Sequence, residues 1–256
     1  MVFILSVPMA GETRSQGNAD PVRAMVGVLM SKYYENPAGT NVKGLLKAWE
    51  TSTNPNDKNS IPPIAGFLTG LFIKYPEKID SFIDENSSPR MQFVIGTALR
   101  LAGHLHALKN YAKKWNWSPD QLAQASSGPT LLAMTANTPT DFDLNWGASF
   151  ATGEARFVRK VYDAYVRVTE TPGIVTSDLV AVANFHRKRI NQDEVKNIFQ
   201  KYKSENRIAL IYGSTALWAL ESNANQHAFI NKLIKTWLNE KPQSNAAKGY
   251  RAYAGK

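Results

Sequence analysis

The sequence predicts an all-α protein, and three observations lead to this fold class. Proline repeatedly follows a serine or aspartate that can cap a helix, as in Asp20-Pro21, Ser88-Pro89 and Ser118-Pro119. Apolar residues then recur at spacings of three and four, which places them on one helical face. The only β-prone runs are residues 2–7 and 207–212. We therefore expect about 10 to 12 helices in an irregular array of antiparallel pairs, either α-solenoid-like or a helical bundle.

In the first half of the chain, each predicted helix begins at such a cap or at a proline. The pattern predicts helices over residues 21–34, 42–49, 61–75, 76–83 and 90–115, and a short one from Pro119. Gly103 interrupts the longest of these apolar patterns. Residues 90–115 therefore form either one long helix or two helices joined near Gly103.

In the second half, the same apolar period continues with short polar breaks. It predicts helices over residues 141–151, 154–169, 177–189, 192–202, 206–222 and 226–238. The second β-prone run passes without a break into one of these helices. Strands are therefore not a competing prediction in this half.

Turn-forming residues suggest how the chain is organised. Residues 126–140 hold Ser127-Gly128-Pro129 and Asn137-Thr138-Pro139, so they are a candidate seam within a single helical domain of residues 20–238. Residues 239–256 are polar and rich in Ala, Gly and Lys, and we expect a frayed tail there. Residues 1–19 are expected to be a flexible N-terminus or the remnant of a signal peptide.

The composition indicates a basic globular protein. Of the 256 residues, 43% are hydrophobic, which is enough to bury a substantial core. The chain has 30 basic against 21 acidic residues, giving a net charge of +9. Such a surface favours nucleic acid, acidic lipid, acidic glycan or an acidic protein as partner. Because cysteine is absent, disulfides, thiolate nucleophiles and cysteine metal ligands are excluded.

The first ten residues bear on the compartment. They are apolar apart from Ser6, and a polar stretch follows from Gly11. This resembles the back half of a signal peptide, although a basic start is missing and Pro8 is poorly placed for cleavage. The protein is expected to be periplasmic or secreted if the segment is a truncated signal peptide, and cytoplasmic otherwise. No run reaches the roughly 20 apolar residues of a membrane-spanning helix.

Residues that could carry catalysis or hold a metal are few. The four histidines are His104, His106, His186 and His227. His104 and His106 are two apart, so a helix directs them to different sides and they cannot chelate one ion. Patterns for a nucleophilic serine, a phosphate loop or a dinucleotide site do not occur. We therefore assign no catalytic residue, no metal site and no cofactor.

One pair of acidic residues allows two interpretations, catalysis or helix capping. Asp141 and Asp143 precede an aromatic helix, and neighbouring carboxyls can act as acid and base when their environments separate their pKa values. The same residues suit the first turn of a helix, where acidic groups offset the macrodipole. Helix capping is the favoured interpretation.

Two basic runs could bind a polyanion. Residues 109–114 adjoin Trp115 and Trp117, and residues 186–189 form a second run. The residues predicted to bind nucleic acid or another polyanion are Lys109, Lys113, Lys114, Arg187, Lys188 and Arg189. Because both runs lie at predicted helix C-termini, the alternative is that they only offset helix dipoles.

Three stretches resemble a family of uncharacterised bacterial helical proteins: residues 60–67, 141–154 and 216–227. The resemblance implies a helical fold and carries no known activity or catalytic residue. Within the middle stretch, Gly147 allows a neighbouring helix to approach closely and Gly153 suits a left-handed C-terminal cap. Trp146 and Phe150 share one face at i, i+4.

The last of these stretches suggests a polar corner between two helices. Asn223, Gln226 and His227 gather amide and imidazole groups there, and Trp146 and Arg156 are candidate neighbours in a ligand site. The alternative is that these groups only satisfy exposed backbone groups.

These observations leave three functions open. The leading expectation is a noncatalytic helical protein that binds another macromolecule, above all a protein, on a groove or face. The second is an enzyme or small-ligand binder that uses the corner of Asn223, Gln226 and His227 with Asp141 or Asp143. The third is polyanion binding through one continuous basic face. Oligomeric state is not predicted by the sequence.

Overall fold

The computed structural model describes residues 21–54 and 57–255. In this part of the chain it contains 14 α-helices and no strand, so the all-α prediction is confirmed, with more helices than expected. The β-prone residues 207–212 lie inside a helix. The other β-prone run and the signal-peptide expectation both concern residues 1–19, which lie outside the described residues.

The helix bounds follow the predicted caps closely. The first eight helices are α1 Pro21–Ser31, α2 Val42–Ser52, α3 Ile61–Lys74, α4 Ile79–Phe82, α5 Pro89–Leu101, α6 Leu105–Lys114, α7 Pro119–Ser126 and α8 Pro139–Thr152. Ser88 and Ser118 cap α5 and α7 by accepting hydrogen bonds from backbone N–H groups three residues ahead. Gly103, with φ of +85°, separates α5 from α6.

The remaining helices complete the second half. They are α9 Ala155–Thr169, α10 Thr176–His186, α11 Gln192–Gln200, α12 Ser204–Gln226, α13 Ala228–Glu240 and α14 Asn245–Ala254. None of the helices in the described residues has the length and apolar character needed to cross a membrane.

The chain divides into two compact units. The first contains the described residues up to Thr135 together with Asp143–Glu154, and the second contains Ala136–Phe142 and the residues from Ala155 onward. The expectation was one helical domain over residues 20–238 with a seam at 126–140. The first crossing between the units falls inside that segment.

The first unit is built around α3, most of whose residues are buried. Two glycines bring α3 and α8 into backbone contact. A Cβ atom at Gly147 would lie 2.1 Å from the Pro63 carbonyl oxygen, and one at Gly66 would lie 2.1 Å from the Leu144 carbonyl oxygen. The prediction that Gly147 permits close approach is therefore confirmed.

The register between α3 and α8 gives the direction of this pair. Gly66 faces Leu144, Gly70 faces Ala148, and the Lys74 ammonium group donates a 2.7 Å hydrogen bond to the Thr152 carbonyl oxygen. Because both sequences ascend together, α3 and α8 run parallel. Gly153, with φ of +71°, ends α8 in the left-handed conformation, as its sequence position predicts.

The second unit packs α12 against α9 and α10 through large side chains. The buried Tyr165 hydroxyl donates to the Ala246 carbonyl oxygen at 2.9 Å, and the Tyr253 hydroxyl donates to that of Ala183 at 3.2 Å. Both bonds join α14 to the rest of the unit.

The expectation of a frayed tail over residues 239–256 is therefore wrong for α14. Its Ala and Gly residues permit close packing, since a Cβ atom at Gly249 would lie 2.6 Å from the Tyr165 hydroxyl. Tyr250 and Tyr253 are buried, and the Ser244 side chain caps the helix. The small residues that suggested fraying instead allow the helix to dock.

Candidate functional site

The predicted polar corner lies between α12 and α13, which are separated by a single residue. His227 is only 2% exposed and adopts an extended conformation. Its backbone N–H donates to the Asn223 carbonyl oxygen at 2.9 Å, and its carbonyl oxygen accepts from the Asn231 N–H at 3.0 Å. His227 thus closes one helix and opens the next, and its ring packs edge-on near Phe229.

The two amides of the predicted site bind backbone groups of α12. The Asn223 side chain donates to the Ala219 carbonyl oxygen at 2.8 Å, and the Gln226 side chain donates to that of Ser222 at 3.1 Å. Each carbonyl lies four residues before its donor within α12, so both are local side-chain-to-backbone hydrogen bonds. The two amides thus bind their own helix, and the ligand site predicted at this corner stays a prediction.

A larger feature adjoins this corner along α13. It is an open groove of about 700 Å³ whose lining includes Ala224 and Ala228. We call it the amide–lysine groove. Its polar lining consists of Asn225, Gln226, Asn231, Lys232, Lys235, Thr236 and Asn239.

The groove carries a net positive charge. Lys232 and Lys235 make no ion pair within the described ranges. The first turn of α13 holds no acidic residue, and the His227 side chain does not cap its N–H groups. The helix N-terminus adds a partial positive charge next to Gln226 and Ala228. Carboxylates are therefore favoured here over cations.

The amides supply hydrogen-bonding capacity beside these charges. The Asn225 side chain donates to a Glu221 carboxylate oxygen at 2.5 Å, and the Asn231 side chain donates to the Ala224 carbonyl oxygen at 3.1 Å. Their amide oxygens accept no hydrogen bond within the part of the chain that the structure describes. These oxygens can accept from the N–H groups of a bound peptide backbone.

A buried ion pair lies on the inner side of Asn225. Glu221 is 8% exposed and pairs with the Arg187 guanidinium group. That group also donates to the Tyr253 carbonyl oxygen at 2.7 Å and lies 3.9 Å from the centre of the Tyr253 ring. The polyanion prediction included Arg187, and the geometry directs this side chain into the unit.

The other residues predicted for a ligand site do not line the groove. Trp146 belongs to the first unit, where it is buried and stacks on Phe150 at 6.1 Å between ring centres. Arg156 belongs to the second unit and is exposed, with its guanidinium group 5.1 Å from the Phe157 ring centre. Of the five predicted residues, only Gln226 contributes to the groove lining.

Most of the groove was not predicted from the sequence, because the predicted site ends at His227 and the groove continues along α13. A usable signal was present in α13, where Asn231, Lys235 and Asn239 recur at i, i+4 and i+8. This spacing places polar side chains in one row on the helix surface.

The remaining basic residues are distributed over both units. Lys109 and Lys113 are exposed on α6, whereas Lys114 pairs with Glu85. Lys188 and Arg189 are exposed after α10. The prediction of polyanion binding stays a prediction.

The aromatic residues beside the α6 run are used within the first unit. The Trp115 indole donates to the Glu85 carbonyl oxygen at 3.2 Å, and the Trp117 indole donates to the Gln92 side chain at 3.4 Å. Both rings are half-buried. Their hydrogen bonds orient them within the unit, which leaves less of each ring for stacking on a base.

The two candidate acids have different environments. A carboxylate oxygen of Asp141 accepts from the N–H groups of Asn137 and Thr138 at 3.0 and 2.9 Å, which is a capping arrangement. Burial raises the pKa of Asp143 to about 7. Asp141 belongs to the second unit and Asp143 to the first.

Comparisons of the chain with models of known protein families, with curated proteins and with solved structures give no match. The resemblance to bacterial helical proteins therefore stays a prediction. Among the described residues, no group of three or more His, Asp or Glu side chains is placed to hold a metal ion.

Proposed function

We propose that the protein is a noncatalytic binding protein whose amide–lysine groove accepts an acidic, extended segment of a partner protein. The observation that carries this proposal is the combination of Lys232 and Lys235, both without ion pairs among the described residues, with a row of amides in an open groove. Unpaired cations attract carboxylates, and amide oxygens suit backbone N–H groups. An open groove suits a polymer segment better than an enclosed small molecule.

The length of the groove supports an extended segment. Residues 228–239 of α13 span about 16 Å at the helical rise per residue. A chain of roughly five extended residues covers that distance. The lysines are three apart on α13 and can contact acidic side chains at alternate positions of such a segment.

We also propose how the helices are arranged and to which family the protein belongs. An array of antiparallel helix pairs, α-solenoid-like or a bundle, provides grooves between neighbouring helices. The one-residue connection at His227, which brings α12 and α13 into contact, supports such a pair. Membership of the bacterial helical family is proposed on the three similar stretches.

The test uses a fluorescein-labelled octaglutamate peptide and measures fluorescence polarisation at low salt. We expect the double variant Lys232→Glu/Lys235→Glu to bind at least about tenfold more weakly than the native protein, because two attractive contacts become repulsive. The matched control is Lys248→Glu, which reverses an exposed lysine on α14 of the same unit and should change affinity by less than about twofold.

Three results would count against the proposal. Equal weakening by Lys248→Glu would show that only net charge matters. Absence of octaglutamate binding would remove acidic peptides as the ligand class. The protein could instead bind octathymidylate, with binding lost in Lys109→Glu/Lys113→Glu and unchanged in the groove variant. That result would favour polyanion binding as the function.

A further inference from the structure

A second concave site lies in the first unit, at the start of α2. It has a volume of about 380 Å³, within the range of small-molecule sites. We call it the tyrosine pocket. Its lining consists of Tyr33, Pro37, Ala38, Thr40, Asn41, Val42, Lys43, Tyr75, Lys78, Ser81 and Phe82.

One tyrosine that lines this pocket is largely buried, although its hydroxyl oxygen is not among the fully buried polar atoms of the described residues. Tyr33 is 4% exposed, and its ring packs edge-on against Phe67 at 5.2 Å. Its hydroxyl makes no hydrogen bond to any described residue. Burial and the nearby Tyr75 raise the pKa of Tyr33, so the hydroxyl stays protonated at neutral pH. A neutral phenol of this kind can donate a hydrogen bond to a ligand in the pocket.

The pocket lining also contains the aromatic rings of Tyr75 and Phe82, with cations near Tyr75. The Tyr75 ring lies 6.5 Å from that of Phe82, and the ammonium groups of Lys74 and Lys78 lie 5.5 and 5.1 Å from its centre. Lys74 is already bonded to the Thr152 carbonyl oxygen. Lys78 has no ion pair within the described residues and can reach a ligand.

The start of α2 adds further positive character. The Asn41 side chain caps the Gly44 N–H at 3.0 Å, which leaves the N–H groups of Val42 and Lys43 without an acceptor in the described chain. The first turn holds no acidic residue and instead carries Lys43, which makes no ion pair with any residue in 21–54 or 57–255. A lysine at a helix N-terminus opposes the macrodipole, so an anion bound there would relieve both.

We propose that the tyrosine pocket binds a small aromatic anion. Its phosphate or carboxylate group accepts hydrogen bonds from the α2 N-terminus, Lys43, Lys78 and the Tyr33 hydroxyl. Its ring packs against Tyr75 and Phe82. This site is independent of the amide–lysine groove, since all of its lining belongs to the first unit.

The test is isothermal titration calorimetry of the full chain with phenyl phosphate, and with benzoate as the carboxylate counterpart. We expect one site per chain, weakened at least about tenfold by Lys43→Gln/Lys78→Gln. The control Lys47→Gln removes an exposed lysine of α2 outside the pocket and should stay within about twofold. Circular dichroism establishes that each variant is folded.

Tyr33→Phe separates the pocket from a general charge effect. It should weaken phenyl phosphate binding by about three- to tenfold and leave the thermal midpoint of the unliganded protein almost unchanged, because the hydroxyl makes no hydrogen bond to a described residue. Unchanged affinity in this variant would overturn the assigned role of the phenol.

Simpler ligands complete the test. Phenol binding as tightly as phenyl phosphate would overturn the anion requirement, and inorganic phosphate binding as tightly would overturn the aromatic one. Absence of binding by both phenyl phosphate and benzoate at roughly 5 mM, where a millimolar Kd is detectable, would overturn the site itself.

Discussion

The two units achieve tight packing by opposite means. In the first, glycines remove side chains so that α3 and α8 touch through their backbones. In the second, α14 is held by large buried tyrosines and by a guanidinium group paired with a buried carboxylate. A backbone contact tolerates no added atom, whereas a side-chain network tolerates small volume changes but not the loss of a partner. The two units should therefore respond to different kinds of substitution.

The two units also differ in the pKa shifts of their titratable groups. Burial raises the pKa of Asp143 in the first unit to about 7, and burial lowers the pKa of His186 in the second to about 4. Desolvation disfavours the charged form in both cases. Because one group is charged when deprotonated and the other when protonated, their effects on stability have opposite pH dependence.

The largest expected effect is that of Gly147→Ala. The added Cβ would lie 2.1 Å from the Pro63 carbonyl oxygen, so the backbone of α3 or α8 must move. We expect a loss of about 4 kcal/mol in the free energy of unfolding, above the usual cost of overpacking, measured by urea denaturation. The control Gly27→Ala meets nothing within 4 Å and should stabilise α1 by about 0.5 to 1 kcal/mol. Equal effects of the two would contradict backbone contact as the packing device.

The buried ion pair gives the next largest effect. Glu221→Gln leaves Arg187 without its anion, and we expect a loss of about 3 kcal/mol in urea denaturation. Glu205→Gln, an exposed acid on the same helix, is the control and should change stability by less than about 0.5 kcal/mol. The double change Arg187→Met/Glu221→Leu should recover part of the loss, because an apolar pair needs no compensation. If Glu221→Gln left the free energy of unfolding unchanged, the ion pair would not be what stabilises the second unit.

Titration of Asp143 should change the free energy of unfolding of the first unit by about 1 to 2 kcal/mol. Its folded pKa exceeds its unfolded value, so the folded state holds more protons and stability falls as pH rises from about 4 to 7. Asp143→Asn should abolish this contribution, seen as a higher free energy of unfolding at pH 8 and a flatter profile. Exposed Asp120→Asn is the control. An unchanged profile in Asp143→Asn would contradict the raised pKa.

The second unit should show the reverse slope with similar magnitude. The folded pKa of His186 lies below the unfolded value, so the stability it contributes is complete above about pH 6.5 and is lost as pH falls to about 4. His186→Phe keeps a ring against Trp218, on which the imidazole stacks at 5.0 Å, and should remove this loss. Exposed His106→Phe is the control. If stability below pH 6 were still lost in His186→Phe, groups other than His186 would cause that loss.

The smallest effect concerns the end of α8. Lys74→Met removes the hydrogen bond to the Thr152 carbonyl oxygen and leaves the apolar stem in place. We expect a loss of about 1 kcal/mol in urea denaturation, against almost none for exposed Lys47→Met. A loss no larger than that of the control would show that water serves the carbonyl equally well.

Local signals explain what the sequence could predict. Caps such as Ser88 and Ser118 act within one turn of their own position, so the helix starts followed from the residues alone. The role of Gly147 was also predictable, because a helical glycine next to aromatic residues indicates close approach. The identity of its neighbour, α3, was not, since nothing in residues 141–154 specifies a contact to residues 61–74.

Contacts between distant segments explain what the sequence left hidden. The sequence predicted a frayed tail because Ala and Gly are weakly apolar. Packing against Tyr165, which the sequence does not reveal, stabilises α14. The tyrosine pocket joins residues 33–43 to residues 75–82, and the amide–lysine groove joins the end of α12 to α13. Such assemblies depend on tertiary packing, which local periodicity does not encode.

The single-residue connection at His227 fixes the rotational phase of α13. Each added helical residue turns a helix by about 100°, so one inserted residue after Gln226 would swing Lys232 and Lys235 out of line with Asn225. The apolar face of α13, with Ile230 and Ile234, would rotate toward solvent by the same angle. Connection length at this corner is thus a constraint on evolution and engineering, and loop grafts or affinity tags belong elsewhere in the chain.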